Sequence, residues 1–458
     1  MKKIFTLLLF LPFLAAPLRA QTYGNEWIHY NQTYYKIKIP ADGLYRIRQS
    51  TLAANIPVLS SLSGANFMLF NKGQEVPIYV STNNTSDTTL YIEFYGQHND
   101  GWFDSTLYQN HSWQMNDAMS LLTDTAAYFL TYDNTSNHLR FTNLSNNISN
   151  PPAPENYCWS TSQLIFGATR SNNDYSPGMA YLVVLGSFDG IYGSEFGNAE
   201  GYGSPYYNYA AASFPMNTPH CYQSGPAASA TAQYLGTFPT DHNVEIGIGT
   251  QTFVTEHFTG YATHRVSFQI PNLSLLSGAT TNEFVSTANS NALYADVIKV
   301  ANLKIKYPRQ FNFDNQSEVL FALNAAAGNQ YIEVTNFNEN NAQPVLYDLT
   351  SRVRIMGTSW SSGNDIDKFL LPPSATEHQV VVAANNLSTI HEVTTMKKRV
   401  FTNYTQASNQ ADFIILTHPK LFDDGTGHNY INDFKQMKIQ QGYSTVIADV
   451  TDIYDQFG

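Results

Sequence analysis

Cysteine is nearly absent, with Cys158 and Cys221 the two in 458 residues. A small disulfide-stapled framework is thereby excluded, and at most one bridge can form within the chain. Charge is scarce too, at 13% of residues, and the balance is acidic, with 24 Lys and Arg against 36 Asp and Glu for a formal net charge of -12. A chain of that sign repels phosphate backbones, which argues against nucleic acid as a partner. Long apolar runs are missing except at the start, where Ile4 to Ala16 follows Met1-Lys2-Lys3 and precedes Leu18-Arg19-Ala20. That stretch is shorter than the roughly 20 residues a membrane-spanning helix needs, and its layout is that of a secretory signal peptide cleaved after Ala20. The expectation is an exported protein, periplasmic, surface-bound or secreted, with no transmembrane segment in the mature chain. No cysteine follows the apolar stretch to carry a lipid. Internal repeats and low-complexity tracts are also absent.

What abounds is aromatic, 30 Tyr and 28 Phe, alongside Thr, Ser and Asn, a composition suited to pleated half-buried surfaces and polar turns. From Tyr34 the chain alternates in strand fashion. Tyr35 to Ile39 and Gly43 to Ile47, with Pro40-Ala41-Asp42-Gly43 between them, predict a hairpin. Further strands are expected at Phe67 to Phe70, Val76 to Val80, Leu90 to Tyr95 and Ala126 to Tyr132, giving a β module over residues 21–150. The run ending in Pro151-Pro152-Ala153-Pro154 marks a boundary, since it cannot join a central strand. An antiparallel β-sandwich is expected over 151–309, with strands at Tyr181 to Leu185, Val244 to Ile248, Arg265 to Ile270, Val297 to Val300 and Leu303 to Tyr307. A Gly/Tyr-rich loop from Ser187 to Tyr209 falls within it. A small β domain over 310–395 takes in Val319 to Leu323, Tyr331 to Val334 and Val380 to Ala383, and 396–411 reads as a linker.

The pattern changes class at Asp412. Phe413-Ile414-Ile415-Leu416-Thr417 is nearly continuously apolar, as a parallel strand buried on both faces should be. Tyr430, Ile431, Phe434 and Met437 form one face of a helix that Gly442 can end, and Ser444 to Val450 is a second strand. Residues 412–458 thus make one β-α-β unit. Such a unit leaves its sheet largely uncovered, which predicts an incomplete α/β domain. The fold class is therefore mainly β, with the start of an α/β domain at its end.

The string Ala411 to Pro419, the helix, Gly442-Tyr443-Ser444-Thr445-Val446 and Asp452 to Gly458 resemble the opening of the gingipain family of caspase-like cysteine peptidases. Upstream, Tyr34 to Ile47, Asn71-Lys72-Gly73, Asn99-Asp100-Gly101-Trp102 and Leu121 to Thr131 are similar to PorU-type sortases of the type IX secretion system. Lys304 to Arg309 and Val345 to Thr350 also look like that family's junction between sandwich and catalytic domain. The resemblance implies a thiolate attacking a backbone carbonyl, with water or an amine resolving the acyl-enzyme. It also implies protein substrates and a cell-surface secretion machinery as partners; no cofactor is expected, with calcium the one weak candidate. The family's catalytic Cys and His lie beyond Gly458, so no catalytic residue carries over and this chain alone is expected to be inactive.

Other candidates have two readings each. Cys158 and Cys221 allow a disulfide whose loop of about 64 residues would remove roughly 4 kcal/mol of unfolded-state freedom, but two unrelated buried thiols fit the same sequence. His220-Cys221 could suggest a base and thiol, yet neighbours on an extended chain point to opposite faces. His418, just after a strand of the α/β unit, fits either a substrate-binding position at the cleft or a structural histidine before Pro419. Asn99-Asp100-Gly101 with Asp104 could hold calcium, and Asp423-Asp424-Gly425 with His428 a metal, although ordinary turns explain both runs. Trp102, Trp113 and Trp159 could form a sugar or peptide platform, or pack in a core. A surface β-sandwich protein that binds proteins or glycans without catalysis is the alternative reading of the whole chain.

Overall fold

The computed structural model describes residues 24–457 apart from 103, 106–110, 167–201, 205–206, 209–211, 237–240, 261, 278–279, 288–295 and 358–365. The expected signal peptide, the strand at Tyr181 to Leu185 and most of the Gly/Tyr-rich loop lie outside them. The chain divides into two compact units. One comprises Tyr35–Leu69 and Val76–Lys397, the other Met1–Tyr34, Phe70–Glu75 and Lys398–Gly458. The fold is mainly β, as the sequence predicts, and antiparallel pairing predominates.

In the larger unit, the two strands expected to form a hairpin do not pair with each other. Tyr34–Ile39 pairs antiparallel with Ala126–Tyr132, whereas Gly43–Arg48 pairs with Tyr91–Gly96 in a different sheet. The segment at Pro40 to Asp42 is thus a corner that takes the chain across a sandwich, and the Tyr45 hydroxyl fixes it by donating to the Ala41 carbonyl at 2.9 Å. This crossing turns Tyr35, Ile37 and Ile39 from one sheet and Tyr45 and Ile47 from the other into one core with Phe94, Tyr128 and Leu130. A short helix, Gln49–Asn55, was not anticipated. It buries Leu52, and Ile56 just after it joins the same core.

A long sheet dominates the rest of this unit. Its strands lie in the order Ala262–Ile270, Ala228–Gly236, Val297–Arg309, Cys158–Ile165, Glu318–Leu323, His378–Ala384, Pro344–Asp348, Val353–Met356 and Thr142–Leu144. The two closing strands expected at Val297 and Leu303 are one strand of 13 residues. A register shift at Gln233/Tyr234 of the neighbouring strand absorbs the break in alternation. A second sheet of Ala212–Asn217, Thr280–Thr287, Asp241–Ile248 and Gln251–Thr259 closes the sandwich, with Phe214, Ile246, Ile248, Tyr234, Leu303 and Ile305 sharing its core. The small β domain does not stand apart. Its strand Glu318–Leu323 pairs with Cys158–Ile165 at Ala322↔Trp159, so the long sheet runs through both. A three-stranded sheet, Asn312–Gln316, Gln330–Phe337 and Ile366–Leu371, packs on it through Phe313, Ile332 and Phe369.

The smaller unit contains the β-α-β arrangement. Phe413–Thr417 and Thr445–Asp449 pair in parallel, from Phe413↔Thr445 to Thr417↔Asp449. The helix Tyr430–Gln440 connects them, capped by the Asn429 side chain and ended at Gly442, whose φ of +93° suits glycine alone. Asp412 and Ser444 clamp the strand starts together, with the Ser444 hydroxyl donating to Asp412 Oδ2 at 2.7 Å. Ile415 and Thr417 are buried, but Ile414 and Leu416 on the other face are 64% and 59% exposed. Among the described residues, no helix is long and apolar enough to cross a membrane.

Candidate functional site

Open α/β sheets bind ligands beyond the carboxyl ends of their strands, and His418 is placed there, directly after Thr417. Its imidazole Nδ1 accepts the Lys420 N–H at 3.0 Å, capping the turn Pro419–Leu421. As an acceptor Nδ1 carries no proton, so the ring presents its N–H at Nε2. Across the strand pair, Asp449 Oδ1 accepts from the Thr451 N–H at 2.7 Å and from its hydroxyl at 2.9 Å, opening the helix Val450–Phe457. Asp452 on that helix accepts from Tyr404 and Gln456, and Arg399 meets Asp455 at 2.7 Å. This edge holds polar groups in fixed orientations without bringing a thiol to them.

The thiols lie in the other unit. Cys158 and Cys221 are both buried and unbonded. Each stands opposite Arg309, on either side of its strand. Two chains flanking a common strand are roughly 9–10 Å apart, beyond the about 7 Å that a disulfide spans. Burial pushes the Cys158 thiol up to about 12 and the Cys221 thiol up to about 11. Nucleophilic cysteines need the opposite environment. His220, with φ at +53°, directs Nε2 to Asp314 at 2.6 Å.

The acidic runs serve their own turns. Asp100 Oδ1 accepts the Trp102 N–H at 3.1 Å, and the buried Asp104 accepts from the Ser120 hydroxyl and the Leu121 amide. Asp423 Oδ1 accepts from Gly425 and Gly427, and Asp424 from Thr426, whose hydroxyl holds the Asp424 carboxyl below its ordinary range. His428 meets Asp433 at 2.6 Å. Among the described residues, no three His, Cys, Asp or Glu side chains gather as metal ligands. Trp159 donates Nε1–H to Asn324 at 2.9 Å, Trp113 is half-buried, and Trp102 is 59% exposed.

Sequence reasoning missed the buried ionic groups. Glu93 is fully buried and bound by Arg46 at 2.7 Å and by the Tyr347 hydroxyl, while Arg354 Nε donates to Tyr347 at 2.9 Å. His378 pairs with Asp348, and His242 with Asp296, each at 2.6 Å and fully buried. Glu283 has both carboxyl oxygens buried and unpartnered among the described residues. Burial also pushes Glu318 up to about 7, against the opposing Leu44 N–H that donates to it. A charged residue at a buried strand position was the available signal, as at Glu283 two places before Val285.

No protein-family model matches the chain, and no curated protein matches it. Among solved structures, it is similar to dimeric latent PorU from Porphyromonas gingivalis, with a TM-score of 0.54 at 11% identity. The match covers 93% of this chain and 38% of that one. Identity this low shows a shared fold. The CBM36-1 domain of a multidomain xylanase from the hindgut metagenome of Trinervitermes trinervoides is matched over 32% of this chain and 95% of its own, at 17% identity. Its TM-score of 0.19 is too low to show a common fold.

Proposed function

We propose that this chain forms the β scaffold and the opening β-α-β unit of a PorU-like, gingipain-family cysteine peptidase or sortase, exported to serve type IX secretion and surface attachment of proteins. The carrying observation is the extent of the fold likeness. A match over 93% of the chain leaves about 32 of 458 residues outside it, so the likeness extends over nearly all of the β scaffold and takes in at least part of the segment from 412 to 458. In this reading a thiolate attacks a backbone carbonyl of a protein substrate, and water or a surface acceptor's amine resolves the acyl-enzyme. The thiolate and its base are not among the residues of this chain, in keeping with the burial of both its cysteines.

The purified chain is expected to turn over no member of a peptide library and to resist a thiol-directed peptide electrophile, with Cys158→Ala and Cys221→Ala unchanged. Turnover lost on either substitution overturns the assignment of the thiols. The coding sequence after Gly458 is expected to supply two further parallel strands, a histidine and then a cysteine. A stop codon there would overturn the peptidase reading in favour of a non-catalytic binding protein.

A further inference from the structure

A cavity of about 470 Å³ opens in the larger unit, where the loop 145–150 meets the end of the strand Ile366–Leu371. Its size is that of a small-molecule site. Ser145, Asn147, Ser149, Asn150 and Asn329 line it with polar side chains, and the other lining residues are three leucines and Pro372, so it holds neither a charged group nor an aromatic ring. Asn146 pins the loop to the strand. Its Nδ2 donates to the carbonyls of Met356 at 3.0 Å and Lys368 at 2.7 Å, and its Oδ1 accepts the Leu370 N–H at 3.0 Å. Ile366–Leu371 is an edge strand of its sheet, and the Asn146 carboxamide bonds to that edge as the peptide group of a neighbouring strand would. Leu370 stands opposite Tyr331 in an antiparallel pair, so its carbonyl leaves the sheet on the same side as its N–H. Around the cavity the polar side chains are exposed. Ser149 gives its N–H and its hydroxyl to Asn147 Oδ1, at 3.2 and 2.8 Å, which leaves both hydrogens of Asn147 Nδ2 uncommitted. The Asn150 and Asn329 carboxamides meet no partner among the described residues.

We propose that this cavity binds a short, uncharged, extended peptide segment. Its backbone amides pair with the Asn147, Asn150 and Asn329 carboxamides and with the Leu370 carbonyl, and one apolar side chain rests on the leucines and Pro372. A carboxamide donates and accepts as a peptide group does, and Asn146 shows this strand edge already taking such a group. Other ligand classes fit the lining less well. A charged ligand gives up hydration and meets no opposite charge in return. A sugar ring finds no aromatic face to stack on. A wholly apolar ligand covers five polar side chains without bonding them. The inference stands on this geometry and does not rest on the peptidase reading.

The test is saturation-transfer NMR on the whole chain, with the N-acetylated, C-amidated tetrapeptides Ala-Leu-Ser-Ala, Thr-Val-Gly-Asn and Ser-Pro-Leu-Thr as neutral probes. The same peptides with Lys or with Glu at both ends, and maltose, are the controls. At least one neutral peptide is expected to bind, and more tightly than its charged versions and than maltose. Asn150→Ala combined with Asn329→Ala is expected to weaken it at least fivefold and to leave the melting temperature unchanged, since both side chains are exposed. Asn150→Asp combined with Asn329→Asp is expected to turn the preference toward the Lys-ended version, which a merely structural role for these residues would not do. Should the double Ala variant fail to fold, Ser145→Tyr, which fills the cavity from an exposed loop position, takes its place with the same expected loss. The proposal is overturned if no neutral peptide binds, if maltose or the charged versions bind as well, or if these substitutions leave binding unchanged.

Discussion

Glu283 is the residue whose surroundings conflict most sharply with its chemistry. It stands between Phe214 and Ile248 on neighbouring strands of the sandwich, fully buried, and burial raises its carboxyl well above the ordinary range. The folded state therefore keeps the proton that the unfolded state releases near pH 4.3. Above that pH the unfolded chain binds fewer protons than the folded one, so stability falls as pH rises toward the folded pKa. Glu283→Gln should flatten this slope, and Glu283→Leu should stabilise the chain at pH 7 by about 1–3 kcal/mol, since an unpartnered polar group leaves the core. Urea unfolding at pH 5 and pH 7 checks both. A wild-type chain more stable at pH 7 than at pH 5, with Glu283→Gln removing the difference, would refute the assignment. The residue was legible in sequence as a charge at an inward position of Thr280–Thr287, but its lack of a partner among the described residues was not, because that depends on strands far away in the chain.

Elements are tied together by polar groups as well as by cores. Glu93, on Tyr91–Gly96, faces Tyr347 and Arg354 on Pro344–Asp348 and Val353–Met356 of the long sheet, and Arg46 joins from Gly43–Arg48. Arg46 and Arg354 also cover the Tyr91 and Tyr79 rings, each at 4.3 Å. One fully buried carboxylate thus draws in two guanidinia, Arg354 nearly buried and Arg46 partly exposed. Glu93→Gln should cost about 3–5 kcal/mol, as removing one member of a buried ion set does. Tyr347→Phe should cost about 1–3 kcal/mol for the bonds left unmade. Lys306→Ala, at a half-exposed pair with Glu377, should cost no more than about 1 kcal/mol. Chemical denaturation of the three variants gives the ranking, and equal losses would contradict it. The same strands explain the failed hairpin. Tyr91–Gly96 is buried on both faces, with Ile92 and Phe94 in one core and Tyr95 in another, so its alternation carried no sign of which sheet it joins. Alternation made each strand visible, whereas its partner lay too far along the chain for turn chemistry to indicate.

At the scale of the whole molecule, the class change at Asp412 was legible because a continuous apolar strand, a 3.6-period helix and a second strand follow in order. What the sequence could not give was how little of that segment is covered. Its two strands have no further sheet neighbour among the described residues, Ile414 and Leu416 face solvent, and Phe434 and Met437 on the connecting helix are about 40% exposed. Local opening is resisted mainly by buried apolar contacts, and here few are present. The strand Ala262–Ile270, by contrast, places Val266, Phe268 and Ile270 in a core closed by a second sheet. Amides from Phe413 to Asp449 should therefore exchange at least tenfold faster than those from Val266 to Ile270. Hydrogen exchange with mass-spectrometric detection reads this directly, at a concentration where sedimentation shows a monomer, since an unpaired parallel edge can also gain protection by self-association. Equal protection in the monomer would mean that the β-α-β unit is fully covered in its own setting. The view of this segment as the opening of a larger α/β domain would then lose its physical basis.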